Sequence, residues 1–365
     1  MDERREEVAA KLALLRNHLG TQGAVRLRGT DWFSWATAGA SNSVLLARET
    51  GVAEILVTPD GAWVLTDEID AQRLMDEELP DNFRVFQSRW TEPEEREEFV
   101  RDHVGPCELW SDRPLEGERP IPYEMAQYKR QLMPTEIRRY RKIGQLAAEA
   151  VTEVLSQAEP TWTELELAGA GAEALWKRGL YPSLTLAAGR RRLQLYSHPT
   201  PTAEPLGDLA MLSFSARGFG LHANLTRFVS FGRLDEDTRQ IHDTLREIEA
   251  EALQYCIPGS RLDQIYDTLK KAYQRRGYTD AIDVHHQGGL TGYRVREIVA
   301  TPMMGHSLVR NEAVAWNPCL AGARSEDTFL VLGNEQTPHL ENLTLSNDWP
   351  VVEVGGIKRP LVWER

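Results

Sequence analysis

The chain has 365 residues, of which 41% are hydrophobic, and a formal net charge of -13 at pH 7. This charge argues against a nucleic-acid partner, because phosphate binding needs a basic face. We expect no membrane span, since no apolar run approaches roughly 18 residues, and no secretory peptide, since acids are mixed with the bases of the first segment. Three widely spaced cysteines, Cys107, Cys256 and Cys319, favour a reduced, cytoplasmic protein.

The first third of the chain predicts a small mixed α/β domain. Apolar residues recur with a helical period up to Leu19, and short strands are expected near 24–27 and 43–46. The run EILVTPDGAWVL predicts a hairpin, because Pro59-Asp60-Gly61 combines a fixed φ with a residue that tolerates the left-handed region. A helix is expected over 67–79.

A charged, Pro-rich segment at 112–123, DRPLEGERPIPY, is typical of a domain boundary. We therefore predict two domains, residues 1–125 and residues 126–365. In the second domain a pattern of two amphipathic helices followed by strands occurs twice, with PTWTELE…WKRGLY matching PGSRLDQ…YQRRGY. Helix caps are expected at 161–164 and 260–263. Such a duplication places a site where strands of both halves meet.

The run DLAMLSFSARGFGLHANLTRF predicts a β-hairpin with one polar face. Alternation places five polar residues on that face: Ser213, Ser215, His222, Asn224 and Thr226. Alternation alone leaves two interpretations equally open, the solvated face of an ordinary sheet and a polar cavity with a function.

A second predicted hairpin, AVAWNPCLAGARSEDT, follows the Gly-rich run HHQGGLTGYRVRE. Asn317 ends its first strand, while Arg324, Glu326 and Thr328 share a face of the second. Arg324 lies two positions before Glu326, which suits a buried ion pair or an oriented carboxylate. A histidine followed by two such strands can build a metal or an acid/base site. The candidate histidines are His198, His222, His285, His286 and His306.

These segments resemble the pita-bread hydrolases, the family of aminopeptidase P, prolidase, methionine aminopeptidase and creatinase. DWFSWATAGASNSVLL and ILVTPDGAWVLTDEIDAQRL resemble the N-terminal domain of three of these enzymes, and GARSEDTFLV resembles a strand of the catalytic domain. The resemblance covers nearly the whole chain. It implies an α/β (α+β) fold, with a creatinase/prolidase-like N-terminal domain followed by a pita-bread domain of duplicated halves, and a homodimer.

The resemblance also implies positions for metal ligands. Active peptidases of the family hold two divalent ions, Mn, Co or Zn, with two Asp, one His and two Glu. Ser213, Asn224 and Asn317 stand at three of the acidic positions, and Glu326 remains. The His falls on His286; in another register His286 lies on the substrate side and Leu290 at the ligand position. Because serine and asparagine are poor ligands for transition metals, we expect no metal ligands and no cofactor.

Creatinase implies a route without metal, in which a histidine at the position resembling His198 transfers the proton. We predict as catalytic residues His198, His286, Glu326 and Arg324. We predict as substrate-binding residues His285, Glu297, Ser213, Asn224 and Asn317. The expected function is binding or hydrolysis of a small amide or Xaa-Pro-like peptide. The alternatives are an active Xaa-Pro aminopeptidase or dipeptidase with unusual ligands, and a non-catalytic binding or scaffold protein.

Overall fold

The computed structural model describes residues 3–365, so the first two residues of the predicted N-terminal domain lie outside it. The chain divides into two compact units. One comprises the residues up to Glu136 together with Phe219–Leu221, and the other comprises Ile137–Gly218 and His222–Arg365. The predicted division of the chain between residues 125 and 126 stays a prediction. Among residues 3–365, no helix combines the length and apolar character needed to cross a bilayer.

The first unit is built on one mixed sheet of six strands in the order β4-β3-β2-β1-β5-β6. These strands are β1 Gly23–Gly29, β2 Thr50–Val57, β3 Ala62–Asp67, β4 Arg84–Ser88, β5 Glu108–Ser111 and β6 Arg119–Pro120. The helices are α1 Glu3–Leu19, α2 Thr30–Ala36, α3 Ala71–Arg73 with a π turn over Leu74–Glu78, α4 Glu94–Val104 and α5 Tyr123–Arg130.

Turn chemistry predicted the β2–β3 hairpin correctly, since Val57 pairs with Ala62 across the turn. Two predictions for this unit were wrong. Residues 43–46 form turns and bends rather than a strand, because both edges of β2 are already occupied by β1 and β3. The helix expected over 67–79 begins only at Ala71.

The second unit contains two helix pairs, each followed by strands, as the repeated pattern predicted. The helices are α6 Pro134–Gln157, α7 Glu164–Trp176, α8 Arg190–Leu193, α9 Glu236–Gln254, α10 Leu262–Arg275 and α11 Ala281–Val284. Its strands are β7 Tyr181–Gly189, β8 Leu209–Gly218, β9 Leu221–Ser230, β10 Gly288–Thr291, β11 Ile298–Val299, β12 Ala313–Trp316, β13 Cys319–Leu320, β14 Ala323–Arg324, β15 Asp327–Gly333, β16 Pro338–Asn342, β17 Val351–Val354, β18 Ile357–Pro360 and β19 Trp363–Glu364.

The two predicted helix caps differ in the structure. Thr163 caps α7, since its hydroxyl accepts a hydrogen bond from Glu166 N and the Glu166 carboxylate accepts one from Thr163 N at 2.7 Å. Ser260 does not cap α10, which begins after Arg261 without a side-chain cap. Carbonyls of a neighbouring loop accept from the first N–H groups of α10 instead, with Leu262 N 2.9 Å from His306 O.

Two main sheets of the second unit meet at β9. One has the order β19-β9-β8-β7 and the other the order β11-β10-β12-β15-β16. Backbone bonds join them, with Thr226 N 3.0 Å from Glu326 O and His222 N 2.8 Å from Gly292 O. Strands of both halves therefore converge on the polar faces of β8 and β9. The α9–α10 pair buries Ile248 and Ile265 among others in an apolar cluster beside the second sheet.

Candidate functional site

The polar face of β8 and β9 is buried rather than solvated. Ser213 and Asn224 are at most 1% exposed. The hydroxyls of Ser213 and Thr226 lie 2.8 Å apart, and Asn224 Nδ2 donates to the Thr291 hydroxyl at 2.9 Å. These side chains satisfy one another, which stabilises an interior polar cluster. Within residues 3–365, the Ser215 hydroxyl is buried without a hydrogen-bond partner.

Two guanidinium groups bind Glu326, which is 3% exposed. Arg296 Nη2 donates to Glu326 Oε1 at 2.6 Å, and Arg324 Nη2 donates to Glu326 Oε2 at 3.1 Å. Burial alone would raise the pKa of Glu326, but the Arg324 and Arg296 charges outweigh it and hold this pKa below its usual value. Glu326 is therefore an ionised carboxylate whose charge is already compensated. The ion pair predicted between Arg324 and Glu326 is present.

Three histidines from two loops lie together beside this carboxylate. His198 follows α8, while His285 and His286 connect α11 to β10. His285 Nε2 lies 2.8 Å from His198 Nε2, and the His285 and His286 rings stack with centroids 4.4 Å apart. One possible ligand atom from each residue lies within 4.8 Å of the others. His198 and His286 are exposed, whereas His285 is buried.

All three imidazoles are neutral near pH 7. Burial, followed by the charge of Arg324, lowers the pKa of His285 to about 2. Burial, followed by Arg296, lowers the pKa of His286 to about 4. The pKa of His198 is also lowered, mainly by burial and then by Arg324. A neutral imidazole offers a lone pair that can accept a proton or bind a metal ion.

The remaining predicted site residues lie at separate points. Asn317 follows β12 and is 1% exposed, and its backbone N–H donates to Gln287 O at 3.0 Å. Glu297 accepts a hydrogen bond from Arg294 N at 3.2 Å. The structure therefore brings His198, His285 and His286 into one cluster. It brings Ser213, Glu326 and Arg324 into a buried network through Thr226 and Arg296, while Asn224 is held separately by Thr291.

Sequence reasoning missed Arg296. This residue is 30 positions from Glu326 in the chain, and no spacing rule connects the two. The only signal was an Arg in the segment GYRVRE after the glycine-rich run. A long side chain leaving that segment can reach a carboxylate on a neighbouring strand, but the fold decides which one.

An apolar cavity of about 390 Å³ opens beside the histidine cluster. Ser197 and Pro199, which flank His198, line it together with Val284, the residue before His285. Other lining residues are Leu195, Tyr196, Met211, Ile241, Leu320 and Arg324. An apolar cleft with one cationic group and adjacent imidazoles is suited to a small molecule that carries both an apolar part and an anionic end.

Two glycines at the start of β10 allow close packing below the histidines. Gly288 and Gly289 have φ values of 103° and 146°. A Cβ at Gly288 would lie 2.2 Å from Ala315 O, and one at Gly289 would lie 2.2 Å from Ile298 O. Both positions therefore require glycine, because of their backbone conformation and because of the neighbouring strands.

The fold is shared with solved peptidase structures. A Xaa-Pro dipeptidase from Bacillus anthracis superposes with a TM-score of 0.77 at 16% identity, over 98% of this chain and 100% of that chain. An X-Pro aminopeptidase from Thermotoga maritima superposes with a TM-score of 0.76 at 17% identity, over 98% and 99% of the two chains. This agreement confirms the predicted α/β pita-bread fold.

One curated relative is a Xaa-Pro dipeptidase of Pyrococcus furiosus, 22% identical over 155 residues. The match covers 41% of this chain and 44% of that protein, so the chain matches less than half of the relative's length.

The model of metallopeptidase family M24 matches residues 138–332. This match contradicts the expectation that no metal and no cofactor are involved, because the family consists of metallopeptidases. The expectation counted carboxylates at the four acidic positions, and did not consider that loops could bring His198, His285 and His286 together. The family resemblance inferred from the sequence is confirmed: this chain belongs to metallopeptidase family M24.

Proposed function

We propose that the protein binds and hydrolyses a small amide or peptide-like substrate of the Xaa-Pro kind, with the histidine cluster as its reacting centre. The single observation that carries the proposal is the position of His198. Its ring contacts His285 at 2.8 Å, while its chain neighbours Ser197 and Pro199 line the apolar cavity. A substrate in the cavity would thus lie against the two segments that carry His198 and His285.

Arg324 gives this cavity a preference for anionic substrates. Its Nε and Nη2 donate to Glu326, and its Nη1 donates to Ser197 O at 3.2 Å. A guanidinium has five N–H groups, so two remain for a substrate carboxylate in the cavity that Arg324 lines. A short peptide with a free C-terminus and an apolar ring or side chain has this chemistry. In the reaction, water oxygen bonds to the carbonyl carbon, the C–N bond breaks, and the nitrogen takes up a proton.

We further propose that the paired-ion centre typical of the family is degenerate in this chain. Bridging carboxylates normally offset the four positive charges of two divalent ions. Ser213, Asn224 and Asn317 carry no charge, and Arg296 and Arg324 already compensate the charge of Glu326. These residues do not fit a carboxylate-bridged pair. Peptidase activity that depends on such a pair is therefore expected to be weak or absent.

The test is hydrolysis of a panel of Xaa-Pro dipeptides and small amides, followed by mass spectrometry. His198→Ala should abolish turnover, and so should Ala321→Trp, which fills the cavity because Ala321 is one of its lining residues. His339→Ala is the matched control, since His339 is an exposed histidine of β16 in the same unit. Turnover unchanged in His198→Ala would overturn the proposal.

A non-catalytic binding role is the second candidate, because Ser213, Asn224 and Glu326 all have partners within the protein. Binding of dipeptides by calorimetry, weakened by Ala321→Trp but without turnover, would favour it. The homodimer and the cytoplasmic location expected from the sequence stay predictions, and sedimentation of the purified protein tests the first.

A further inference from the structure

The three-histidine cluster is separate from the positions of the family's acidic ligands. Two loops form it, and one ring nitrogen from each of the three residues lies within 4.8 Å of the other two. The polar network around Glu326 joins Ser213 of β8 and Thr226 of β9 to Glu326 and Arg296 in the segments between strands, through its own hydrogen bonds. The cluster is thus a distinct set of donors.

The cluster lacks the partners expected of an ordinary group of structural histidines. His285 is 9% exposed, and in the part of the chain described by the structure its Nδ1 has no hydrogen-bond partner. Its Nε2 faces another imidazole nitrogen, that of His198, at 2.8 Å. An Nε2–Nε2 contact can hold at most one proton between its two lone pairs. A cation on the imidazole nitrogens would satisfy the same lone pairs.

Three imidazoles are a ligand set that transition metals accept. Zinc binds histidine nitrogens at about 2.0–2.1 Å in tetrahedral geometry, which separates two ligand nitrogens by about 3.3 Å. The His198–His285 contact needs to open by only about half an ångström to reach this separation. His198 and His286 are exposed, so solvent can supply the fourth ligand. The Glu326 carboxylate offsets part of the repulsion from Arg296 and Arg324.

We propose that His198, His285 and His286 bind one divalent transition-metal ion of the zinc type, at a mononuclear site that uses none of the family's acidic positions. The inference rests on the proposed function for its role, since it names the cofactor of the same reacting centre. A metal ion held by three histidines lowers the pKa of its bound water to about 7, which would supply the nucleophile for amide hydrolysis. Metal binding itself does not depend on the substrate assignment.

The experiment measures metal binding without substrate. The full-length protein, stripped with chelator, is titrated with Zn²⁺ by calorimetry and with Co²⁺ by visible absorption, which reports tetrahedral nitrogen ligation. One ion per chain is expected. His198→Ala and His286→Ala should each abolish stoichiometric binding; both side chains are exposed, so these variants should fold. His339→Ala should bind as the parent does, and Mg²⁺ should not bind, because it requires oxygen ligands.

A second variant separates this site from the family centre. Glu326→Gln should still bind one ion in the proposed site, with lower affinity because the carboxylate no longer offsets the charges of Arg296 and Arg324, whereas an ion at the family position would be lost. Three results would each overturn the inference. The parent could fail to bind Zn²⁺ and Co²⁺, or the two histidine substitutions could leave binding unaffected. Binding could also be lost in Glu326→Gln and retained in His198→Ala. Zinc binding without turnover would support the metal site and contradict the proposed function. Turnover by a chelator-stripped protein that also fails to bind zinc would support the proposed function and contradict the metal site.

Discussion

Arg296 Nη2 lies 2.6 Å from Glu326 Oε1, and both side chains are largely buried. Arg324 contacts the other oxygen of the same carboxylate. The pair thus places a permanent cation against Glu326, the one acid that the sequence resemblance assigns to the family's ligand set. This relationship accounts for how an ionised carboxylate persists in the interior, since its charge is met by two fixed guanidiniums.

Removing the charge of Glu326 is expected to destabilise the protein. Glu326→Gln leaves Arg296 and Arg324 in a buried setting without an anion, a loss that costs about 3–5 kcal/mol. Urea unfolding at pH 7.5 measures it. Glu341→Gln is the matched control, because its pair with Arg141 lies at the surface and such pairs contribute at most about 1 kcal/mol. Equal, small losses in the two variants would contradict this account of Glu326.

Restoring the missing acids tests the degenerate paired centre. The triple variant Ser213→Asp, Asn224→Asp, Asn317→Glu should be less stable than the parent without metal, because three carboxylates enter a buried region. Manganese should stabilise the variant, by about 2.7 kcal/mol at a concentration 100 times its Kd. The parent should bind at most one manganese ion, weakly and through its histidines, and should show a smaller shift in thermal unfolding. Two manganese ions per chain in the parent would refute the degenerate centre.

His242 makes stability depend on pH. Burial, followed by the charge of Arg246, lowers the pKa of His242 to about 3. An unfolded histidine has a pKa of about 6.5. Below that pH, His242 is protonated in the unfolded chain but stays neutral in the folded chain. The stability from this residue is present above pH 6.5 and is lost as the pH falls toward 3, by about 2 kcal/mol between pH 7.5 and pH 5.

His242→Met removes the titrating group and keeps a contact with the Phe228 ring, which His242 packs against. The variant should lose less stability than the parent when urea unfolding is compared at pH 7.5 and pH 5. The exposed His339→Met serves as the control and should follow the parent. If the two variants show the same change with pH, His242 does not titrate as stated.

The helix caps of the two repeats should differ in energy. Thr163→Ala removes the acceptor for Glu166 N and should cost about 1 kcal/mol. Ser260→Ala should stay within about 0.5 kcal/mol, because α10 has no side-chain cap. Thermal unfolding of the two variants side by side provides the comparison, and a larger loss for Ser260→Ala would reverse the assignment.

Local patterns predicted the parts of the structure that depend on local geometry. Strand alternation placed Ser213 and Thr226 on one face, and their hydroxyls do meet. The capping box expected at 161–164 is present two residues later, as Thr163 with Glu166, because the same Thr-x-x-Glu spacing occurs at both positions. The run at 43–46 has apolar residues but no strand: Leu45 is 58% exposed, and the β2 strand that follows is already paired with β1 and β3.

Contacts between loops that are distant along the chain could not be predicted from local sequence patterns. His198 and His285 are 87 positions apart, and nothing in either loop specifies the other. Counting acids at the family's positions led to the wrong expectation about metal, because that count treats each position as independent of the rest of the fold. The Arg296–Glu326 pair was not predicted for the same reason.

The two glycines at the start of β10 also restrict how this protein can change over evolutionary time. A side chain at Gly288 or Gly289 would collide with a carbonyl of an adjacent strand, so a new functional group cannot be recruited there by one mutation. The loops that carry His198 and His285-His286 have no such restriction. Selection for altered chemistry would therefore operate through those loops, while the strand beneath them stays invariant.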